Sequence, residues 1–486
     1  MPKYDTEHCD DTMSFEDCEL TILRNAVDKT NELQKGKIAN SKDVSDMIKI
    51  VEDFLLRKKL ICYGGTAINN ILPKYAQFYN RDLEVPDYDF FSDNAIEDAR
   101  ELTDIFFNAG YLETEAKSGV HKGTYKVYVN YIPMADITQL HHVLYESLKK
   151  DAISVAGIKY TPPNYLRMSM YLELSRPAGD VSRWEKVMKR LTLLNKFYPL
   201  KHKSCKSSEI KLNKQDKTLY YAVRDSFIEQ GVIFFGGFAH SLYSKYSKVK
   251  YMEPEKLADF DIISEQHERS ALIIKEKLME KGFLEKDIQI IEHENIGDVI
   301  PLHCQIVVNK QTVARVFEPI ACHSFNVITI GNKEMNIATI DTILSFYLAF
   351  VYVKKPYFDK ERMLCIAQNL FYILQKNRLT QTGILKRFTI DCYGKQPTLE
   401  TMRAEKTTKF KELSKKRNGP EWNEWFFKYA PGAKLSEDAL SQGASKVSKE
   451  ECNEEEKPQE KPVKKTRKKH RKKRNTMKKI LPFLYK

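Results

Sequence analysis

The chain has 486 residues, of which 42% are hydrophobic and 11% aromatic, so it can fill the cores of two or three domains. Its formal net charge of +13 comes almost entirely from the C-terminal end. Residues 461–479 hold twelve Lys or Arg and no acid, and 13 − 12 leaves only +1 for the remainder. The charge therefore excludes a strongly basic folded body and predicts a polycationic tail.

Cysteine usage and hydropathy restrict the class of protein further. Nine cysteines are scattered from Cys9 to Cys452 without a Cys-x-x-Cys pair, which predicts reduced thiols and no structural zinc. The first residues contain neither a basic segment nor an apolar core, so no signal peptide is expected. The longest apolar run, 343–353, is about half the length that crosses a bilayer. We therefore expect an intracellular protein without a membrane partner.

The first 150 residues predict a helical lead-in followed by a small α/β domain. Apolar residues recur at helical spacing in 17–40 and more strongly in 44–56, and again in 93–109. Between the last two of these segments, an apolar strand runs into Gly64, Gly65 and Thr66. Such a glycine turn lets backbone N–H groups approach an anion, and the helix that follows adds its positive N-terminal end.

Three aspartates in this domain form a candidate metal site. Asp87 and Asp89 lie two residues apart in the sequence PDYDFFS, so on a strand both carboxylates would project from one face. Asp136 follows the alternating segment 124–131, on a later strand of sequence MADIT. Carboxylate oxygens suit Mg²⁺ or Mn²⁺, and two such ions can stabilise the attacking and leaving oxygens of an in-line displacement.

Taken together, four segments carry a family resemblance: GGTAIN, PDYDFFS, MADIT and LRMSMYLELSRPAGDVSRWEKV. They resemble the poly(A) polymerase catalytic subunits of large nucleocytoplasmic DNA viruses, within the DNA polymerase β-like nucleotidyltransferases. The resemblance covers the chain to about residue 430. It implies that Asp87, Asp89 and Asp136 hold two metal ions and that Gly64, Gly65, Thr66 and Ser92 contact ATP.

The segment from Pro162 to Tyr198 has a helical period and, by the same resemblance, helps to hold the incoming nucleotide. Its four cations are Arg167, Arg176, Arg183 and Lys186. Each could contact the triphosphate, or could be solvated opposite an apolar stripe. We predict that Arg167 and Lys186 bind the nucleotide. Tyr171 and Trp184 could stack on a base, but core packing is the interpretation that we favour. His141 and His142 lack ligand spacing and predict a loop at the end of a strand.

The chain then repeats its own motifs. Gly236-Gly237 echoes Gly64-Gly65, and Asp259-Phe-Asp261 echoes Asp87-Tyr-Asp89; both pairs are 172 residues apart, since 236 − 64 = 172 and 259 − 87 = 172. An equal offset in two motifs predicts a second domain of the same construction. Phe238 replaces Thr66, and we align Cys322 with Asp136. Because a neutral thiol is a poor Mg²⁺ ligand, we predict that the second domain is degenerate.

The predicted fold class is α/β (α+β), with two tandem nucleotidyltransferase-like palms, helical segments between and after them, and a disordered basic tail. The boundaries are a helical lead-in at 1–50, the catalytic palm at 51–150, a nucleotide-facing helical segment at 151–215, the degenerate palm at 216–340, a helical segment at 341–430 and the tail at 431–486. The tail could bind RNA, act as a nuclear-localisation-like signal or only solubilise the chain.

The resemblance predicts a template-independent poly(A) polymerase that transfers AMP from ATP to the 3′ end of viral mRNA. Another RNA nucleotidyltransferase and a non-catalytic RNA-binding scaffold are the alternatives. The expected partners are an RNA 3′ end, ATP and a second copy in a homodimer, or else a viral processivity or methyltransferase partner. The expected location is the host cytoplasm, at the virus factory, with packaging in the virion as an option.

Overall fold

The computed structural model describes residues 9, 12–39, 41–80, 85–200, 214–247, 259–355, 358–417 and 419–432. Most of the predicted tail, 433–486, therefore lies outside the described residues. The described part forms fourteen α-helices and two eight-stranded sheets of mixed strand direction, which confirms the predicted α/β class. No helix within these ranges is long and apolar enough to span a bilayer.

The helices are α1 Phe15–Ala39, α2 Lys42–Lys58, α3 Gly64–Ile71, α4 Ala95–Asn108, α5 His142–Asp151, α6 Pro163–Leu174, α7 Trp184–Phe197, α8 Lys214–Glu229, α9 Gly236–Tyr246, α10 His267–Glu280, α11 Ile340–Phe350, α12 Lys360–Lys376, α13 Leu399–Leu413 and α14 Pro420–Phe426. The strands of the first half are β1 Ile61–Cys62, β2 Tyr88–Ser92, β3 Thr114–Ser118, β4 Thr124–Val129, β5 Ile132–Gln139, β6 Ile153–Val155 and β7 Ile158–Tyr160. The remaining strands are β8 Ile233–Phe235, β9 Phe260–Ile263, β10 Ile288–His293, β11 His303–Val308, β12 Gln311–Phe317, β13 His323–Ile330, β14 Lys333–Ala338, β15 Cys392–Tyr393 and β16 Lys428–Tyr429.

The two sheets have the same topology. The first sheet has the order β16-β3-β4-β5-β2-β1-β7-β6, and the second has β10-β11-β12-β9-β8-β14-β13-β15. Seven consecutive strands therefore correspond one to one, and each sheet gains one strand from the C-terminal part of the chain. The parallel pairs β2–β5 and β1–β7 recur as β9–β12 and β8–β14. This correspondence supports the repeat that the equal motif offsets predict.

Alternating side chains give each strand of the first sheet one buried and one open face. In β4, for example, Tyr125, Val127 and Val129 are buried, while Lys126 and Tyr128 are only half-buried. The buried face packs against α2 and α4, whose apolar residues recur at helical spacing. The open face is the one that carries Asp89 and Asp136, whose side chains are half-buried.

The two halves share one hydrophobic core within residues 1–435. Helix α6 of the first half packs against α11 of the second, and the rings of Tyr165 and Tyr352 meet edge to face with centroids 5.4 Å apart. The amide of Ser324 also donates to the carbonyl of Ser175 across this contact, at 2.9 Å. The second sheet is thus a structural support for the first.

Candidate active site

A glycine turn between β1 and α3 opens the space in which the candidate site lies. Gly64 has φ = +70°, a conformation that L side chains rarely adopt, and a Cβ at this position would collide with the Asp89 carboxylate. A Cβ on Gly65 would collide with the Tyr79 hydroxyl and would lie 2.9 Å from Nη2 of Arg190. Gly64 is therefore required by its backbone conformation, whereas a Cβ on Gly65 would displace the side-chain ends of Tyr79 and Arg190. The N-terminus of α3 and the Arg190 guanidinium together make this turn suited to an anion.

The three predicted aspartates converge at the adjoining strand ends. Asp89 on β2 and Asp136 on β5 are direct register partners in a parallel pair. Asp87 lies one residue before β2 begins, so it is not within the strand as the sequence suggested. The Thr66 hydroxyl donates to the main-chain carbonyl of Asp87 at 2.6 Å. Thr66 thus fixes the position of Asp87, and its side chain is not available for the phosphate contact that we predicted.

The aspartates repel one another. Burial first, and then the charges of Asp87 and Asp136, raise the pKa of Asp89 to about 8. The pKa of Asp87 is also raised, because its carboxyl is partly desolvated and Asp136 lies near it. Such a cluster holds excess negative charge that a cation would neutralise.

Lys126 supplies part of the missing countercharge. It is the register partner of Asp136 on β4, and its ammonium group is bound to Oδ2 of Asp136. Burial alone would lower the pKa of Lys126, but the bond and the charge of Asp136 raise it. Sequence analysis did not single out Lys126. The alternation of buried and half-buried residues in β4 places Lys126 on the open face of the sheet. Strand β4 is two strands away from β2, which carries Asp89.

The oxygen-only donor set fits a hard divalent cation, since Mg²⁺ and Mn²⁺ prefer carboxylate ligands. Within the described ranges, one group of three possible metal ligands has its ligand atoms within 4.8 Å of one another. This group is Asp93, His142 and Glu146, and it does not include the three aspartates of the candidate site. That group is fully exposed, and His142 simply opens α5 after the N-cap residue His141. The ligand atoms of Asp87, Asp89 and Asp136 do not all lie within 4.8 Å of one another, which agrees with the pairing of Asp136 with Lys126. We therefore retain Asp87, Asp89 and Asp136 as the residues that would hold the metal.

Two cations of α7 face the acidic cluster. Lys186 is exposed, and its charge acts on the Asp87 carboxyl to lower the pKa of that group. Arg190 lies one turn further along α7, donates to the Tyr79 hydroxyl at 2.6 Å and covers the Gly65 turn. Arg190 was missed by the sequence analysis. Its counterpart in the second half is Arg362, which lies beside Gly237 as Arg190 lies beside Gly65.

The role predicted for Arg167 is wrong. Its side chain is fully buried, with Nε donating to Oδ1 of Asn195 at 2.7 Å. The other two guanidinium nitrogens are bonded to the Asn164 side chain and to the carbonyl of Tyr198. These bonds join α6 to the end of α7 and leave the guanidinium no freedom to reach a phosphate. Arg167 therefore holds the helices that carry Lys186 and Arg190.

This difference predicts opposite phenotypes for two cation-to-methionine substitutions. Arg167→Met should lower the free energy of unfolding by about 3–5 kcal/mol, because it strands buried acceptors in α6 and α7. Lys186→Met should leave the melting temperature unchanged, because its side chain is exposed. The measurements are thermal unfolding and titration with ATP. If the Arg167→Met protein is as stable as the wild type but binds ATP more weakly, Arg167 contacts phosphate as the sequence predicted.

Ser92 is likewise structural, against the prediction that it binds nucleotide. Its buried hydroxyl donates to Oδ2 of Asp98 at 2.6 Å and accepts from the amide of Asn94 at 2.8 Å. The second half repeats this arrangement, with the hydroxyls of Ser264 and Ser270 at 2.8 Å. A contact that recurs in both halves serves the turn from the strand into the helix that follows it.

The other aromatic and basic residues of this segment also pack or pair. Tyr171 is buried, which confirms the core interpretation, and Trp184 lies against Phe388 with ring centroids 5.6 Å apart. Arg183 forms an ion pair with Glu173 at 3.0 Å. Of Arg167, Arg183 and Lys186, only Lys186 remains a candidate for contact with phosphate.

A family model described as "Poly(A) polymerase catalytic subunit" matches residues 49–180. This range contains the glycine turn, the three aspartates and α6, in the order and spacing described above. Over residues 49–180, the chain is therefore similar to the poly(A) polymerase catalytic subunit family.

Curated relatives support the same family. A protein of African swine fever virus (isolate Tick/Malawi/Lil 20-1/1983) is 29% identical over 180 residues, which are 36% of this chain and 38% of that protein. A protein of Acanthamoeba polyphaga mimivirus is 31% identical over 186 residues, 37% of this chain and 30% of its own. Both are provisionally described as poly(A) polymerase catalytic subunits. The match thus spans less than two fifths of the length of these relatives.

Among solved structures, the Megavirus polyadenylate synthase has a TM-score of 0.75 to this chain, with 18% sequence identity. The superposition covers 92% of this chain and 93% of the other. At this identity the likeness establishes the fold alone. Since it extends far beyond the family match at 49–180, the duplicated architecture is common to both proteins.

The second sheet contains a neutralised copy of the family site. Arg315 on β12 is the register partner of Asp261, as Asp136 is of Asp89. The alignment of Cys322 with Asp136 is therefore wrong. Between the paired strands the second half has seven more residues, because 315 − 261 = 54 whereas 136 − 89 = 47. The conclusion that the second half is degenerate agrees with the structure, but the cause is a buried guanidinium and not a thiol.

Two arginines occupy this second site. Arg315 donates from Nε to Asp261 at 2.6 Å and from Nη2 to Asp259 at 2.5 Å. Arg362, the counterpart of Arg190, lies beside Gly237 and pairs with Asp259 at 2.5 Å. Burial would raise the pKa of Asp259, but the two arginines hold it below its usual range. Two carboxylates with two guanidinium groups leave no excess negative charge for a metal ion.

The expectation of reduced thiols is also wrong for several cysteines. Cys322 is joined to Cys392 and Cys9 to Cys18, and Cys365 is disulfide-bonded as well. The Cys322–Cys392 bond ties the start of β13 to β15 at the edge of the second sheet. Cys62 and Cys304 are free and buried.

Proposed function

We propose that this protein is a template-independent poly(A) polymerase, which transfers AMP from ATP to the 3′ end of RNA. The observation that carries the proposal is the acidic cluster of Asp87, Asp89 and Asp136, in which neighbouring charges and burial raise the pKa of Asp89 to about 8. The cluster adjoins a glycine turn covered by Arg190. Among the described residues of the repeated half, two arginines neutralise the corresponding dyad, Asp259 and Asp261.

The nucleotide would lie with its triphosphate at the Gly64-Gly65 turn. The N-terminal end of α3 offers backbone N–H groups there, and Arg190 and Lys186 approach from α7. A guanidinium can grip phosphate oxygens with two parallel bonds, while the Lys186 ammonium acts as a point charge. These cations would stabilise the pyrophosphate as it leaves.

Asp87, Asp89 and Asp136 would hold Mg²⁺ or Mn²⁺. The sequence resemblance implies that two such ions bind. When bound, such ions supply charge stabilisation to the attacking and leaving oxygens. The chain's own contribution is geometric: Thr66 fixes Asp87, and the β2–β5 register fixes Asp89 beside Asp136. The bond that forms joins the RNA 3′ oxygen to the α-phosphorus of ATP, and the bond that breaks releases pyrophosphate.

Extension of a labelled RNA primer with each of the four nucleoside triphosphates, in Mg²⁺ or in Mn²⁺, tests the proposal. We expect long extension with ATP and little with the other three. Comparable extension with several nucleotides would instead indicate another RNA nucleotidyltransferase. Absence of any extension, with RNA still bound, would favour a non-catalytic scaffold. Asp89→Asn is the control that excludes a contaminating polymerase.

Partners and location follow from the same proposal. The substrates would be ATP and the 3′ end of viral mRNA, and the site of action would be the host cytoplasm, with packaging in the virion. A homodimer is the preferred assembly, with a viral processivity or methyltransferase partner as the alternative. The viral sources of the relatives motivate the proposed location, and the presence of a second sheet whose aspartates are already paired motivates the proposed homodimer.

A further inference from the structure

A lateral row of lysines leads across the open face of the first sheet to the acidic cluster. Lys428 on β16 is the register partner of Lys117 on β3, which is the partner of Lys126 on β4. Lys126 is the partner of Asp136, and Asp136 of Asp89. Residues directly opposite on adjacent strands project from the same face of a sheet. Since neighbouring strands lie about 4.8 Å apart, the row from Lys428 to Asp136 spans roughly 14 Å.

The corresponding row of the second sheet has no lysine. It runs from Ile291 through Gln305 and Arg315 to Asp261. No described strand extends it, because β10 is the edge of that sheet. Within one chain, the lysine row therefore accompanies the intact acidic cluster and is absent beside the neutralised one. This internal comparison argues that the row serves the chemistry and not the fold.

The far end of the row opens into a cavity of about 730 Å³ that aromatic and basic side chains line. Lys117, Lys428, Tyr128 and Tyr131 are among its lining residues. Tyr131 lies at the tip of the β4–β5 hairpin and is 82% exposed, and its ring stacks on no other ring among the described residues. Exposed aromatic rings beside cations are the features that bind single-stranded nucleic acid without sequence preference.

Two glutamates among the residues that line the cavity balance its two lysines in the absence of RNA. Glu115 is bound to Lys117, and Glu113 also lines the cavity. Lys117 in turn lies 4.2 Å from the centre of the Tyr128 ring. An arriving phosphate can replace Glu115 as the partner of Lys117 while the ring contact is kept. Lys428 is exposed at the outer end of the row.

We propose that this row and cavity bind the single-stranded RNA upstream of the 3′ end that is extended. Lys117 and Lys428 contact backbone phosphates, and Tyr131 stacks on a base. The inference rests on the proposed function for the direction of the RNA, since the 3′ oxygen must reach Asp136 and Asp89. It assigns the path to the β3–β16 edge, away from the side on which β7 and β6 lie.

The test uses the full-length chain, fluorescein-labelled oligo(A) and fluorescence anisotropy. The double variant Lys117→Gln/Lys428→Gln should bind RNA about tenfold more weakly at low salt. Loss of two phosphate contacts should also flatten the dependence of log K on log salt by about 1.4. Tyr131→Leu should weaken binding, and Tyr131→Phe should retain it. In extension assays, the double variant should show a raised KM for RNA and an unchanged KM for ATP.

The matched control is Lys275→Gln/Lys277→Gln on α10 of the second half, which removes the same charge from lysines that also pair with glutamates. It should leave RNA affinity unchanged. Equal losses in both double variants would overturn the path in favour of general electrostatic attraction, and unchanged binding in the Lys117/Lys428 variant would refute it outright. A change in sedimentation with RNA affinity intact would reassign the cavity to a protein contact. Because binding is measured without ATP, failure of the adenylyl transfer proposal would appear separately, as RNA binding through the row without extension.

Discussion

Replacing Asp89 by Asn should slow AMP incorporation by about a thousandfold and yet stabilise the metal-free protein at alkaline pH. The loss of rate reflects removal of one anionic metal ligand, which costs about 4 kcal/mol of transition-state stabilisation. The gain in stability follows from the crowding of Asp89 by Asp87 and Asp136. Activity and stability should therefore change in opposite directions.

The pH dependence has a defined sign. The pKa of Asp89 is about 8 in the folded protein and 3.8 in its unperturbed state. Between those values the unfolded chain releases this proton while the folded chain keeps it, so wild-type stability falls as pH rises. Above about pH 8 the full penalty is present, and below about pH 4 it is absent. The melting temperature of Asp89→Asn should accordingly exceed that of wild type by an amount that grows with pH.

Thermal unfolding across this pH range, with and without Mg²⁺, measures both effects. Mg²⁺ should stabilise the wild type, because a ligand that binds only the folded state raises its stability, and should do so far less in the variant. Asp93→Asn serves as the control, since it removes an exposed carboxylate from the Asp93–His142–Glu146 group. If that control loses Mg²⁺ stabilisation and Asp89→Asn keeps it, the metal site has been assigned to the wrong cluster. A stability difference that does not vary with pH would refute the repulsion between the aspartates.

The parts of this site that could be predicted from sequence are those that depend on local geometry. A Gly-Gly turn and an Asp-x-Asp pair describe one strand end each, and both occur twice with the same offset. The backbone conformation of Gly64 recurs at Gly236, with φ of +70° and +78°. The offset does not stay constant beyond these motifs, because Asp136 and Arg315 are 179 residues apart, as 315 − 136 = 179. A fixed offset therefore could not identify Arg190 from the sequence.

Register between strands distant in sequence could not be predicted in this way. The similarity of Phe-Glu-Pro-Ile-Ala-Cys322 to Tyr-Ile-Pro-Met-Ala-Asp136 directed attention to Cys322. The hydrogen-bonded partner of Asp261 is instead Arg315, in the preceding strand. The hydrophobic pattern of a strand determines which of its faces is buried. It does not distinguish pairings with the neighbouring strand that differ by an even number of residues, because the alternation is then unchanged.

Burial decided the fate of the remaining site predictions. Arg167 follows Leu166 on α6 and was grouped with solvent-facing cations, yet its helix is covered on several sides by α7 and α11. Hydroxyl groups such as those of Thr66 and Ser92 are equally able to bind phosphate or main chain. Which partner each finds depends on the neighbouring elements, and the sequence near it does not contain that information.

Arg315→Met should produce the opposite pattern to Asp136→Asn, although the two residues occupy the same register position in the two sheets. Arg315 is buried and bonded to Asp259 and Asp261, which would be left as two adjacent carboxylates with only Arg362 to balance them. Breaking a buried ion pair by removing one partner costs about 3–5 kcal/mol. Asp136→Asn should cost little stability, because it removes charge from a crowded acidic cluster, but should abolish extension.

Chemical denaturation and single-turnover AMP incorporation, both at low temperature, separate the two outcomes. Folded Arg315→Met should keep its rate within a few-fold of wild type, because the second sheet supports the first without supplying a catalytic group. The double variant Asp261→Asn/Arg315→Met should recover much of the lost stability, since Asp259 then keeps Arg362 as its partner and no unpaired charge remains. If the single variant is as stable as wild type, the second site is not a buried ion network. If it is folded and binds RNA but cannot extend it, the second sheet takes part in catalysis and its assignment as a neutralised copy is wrong.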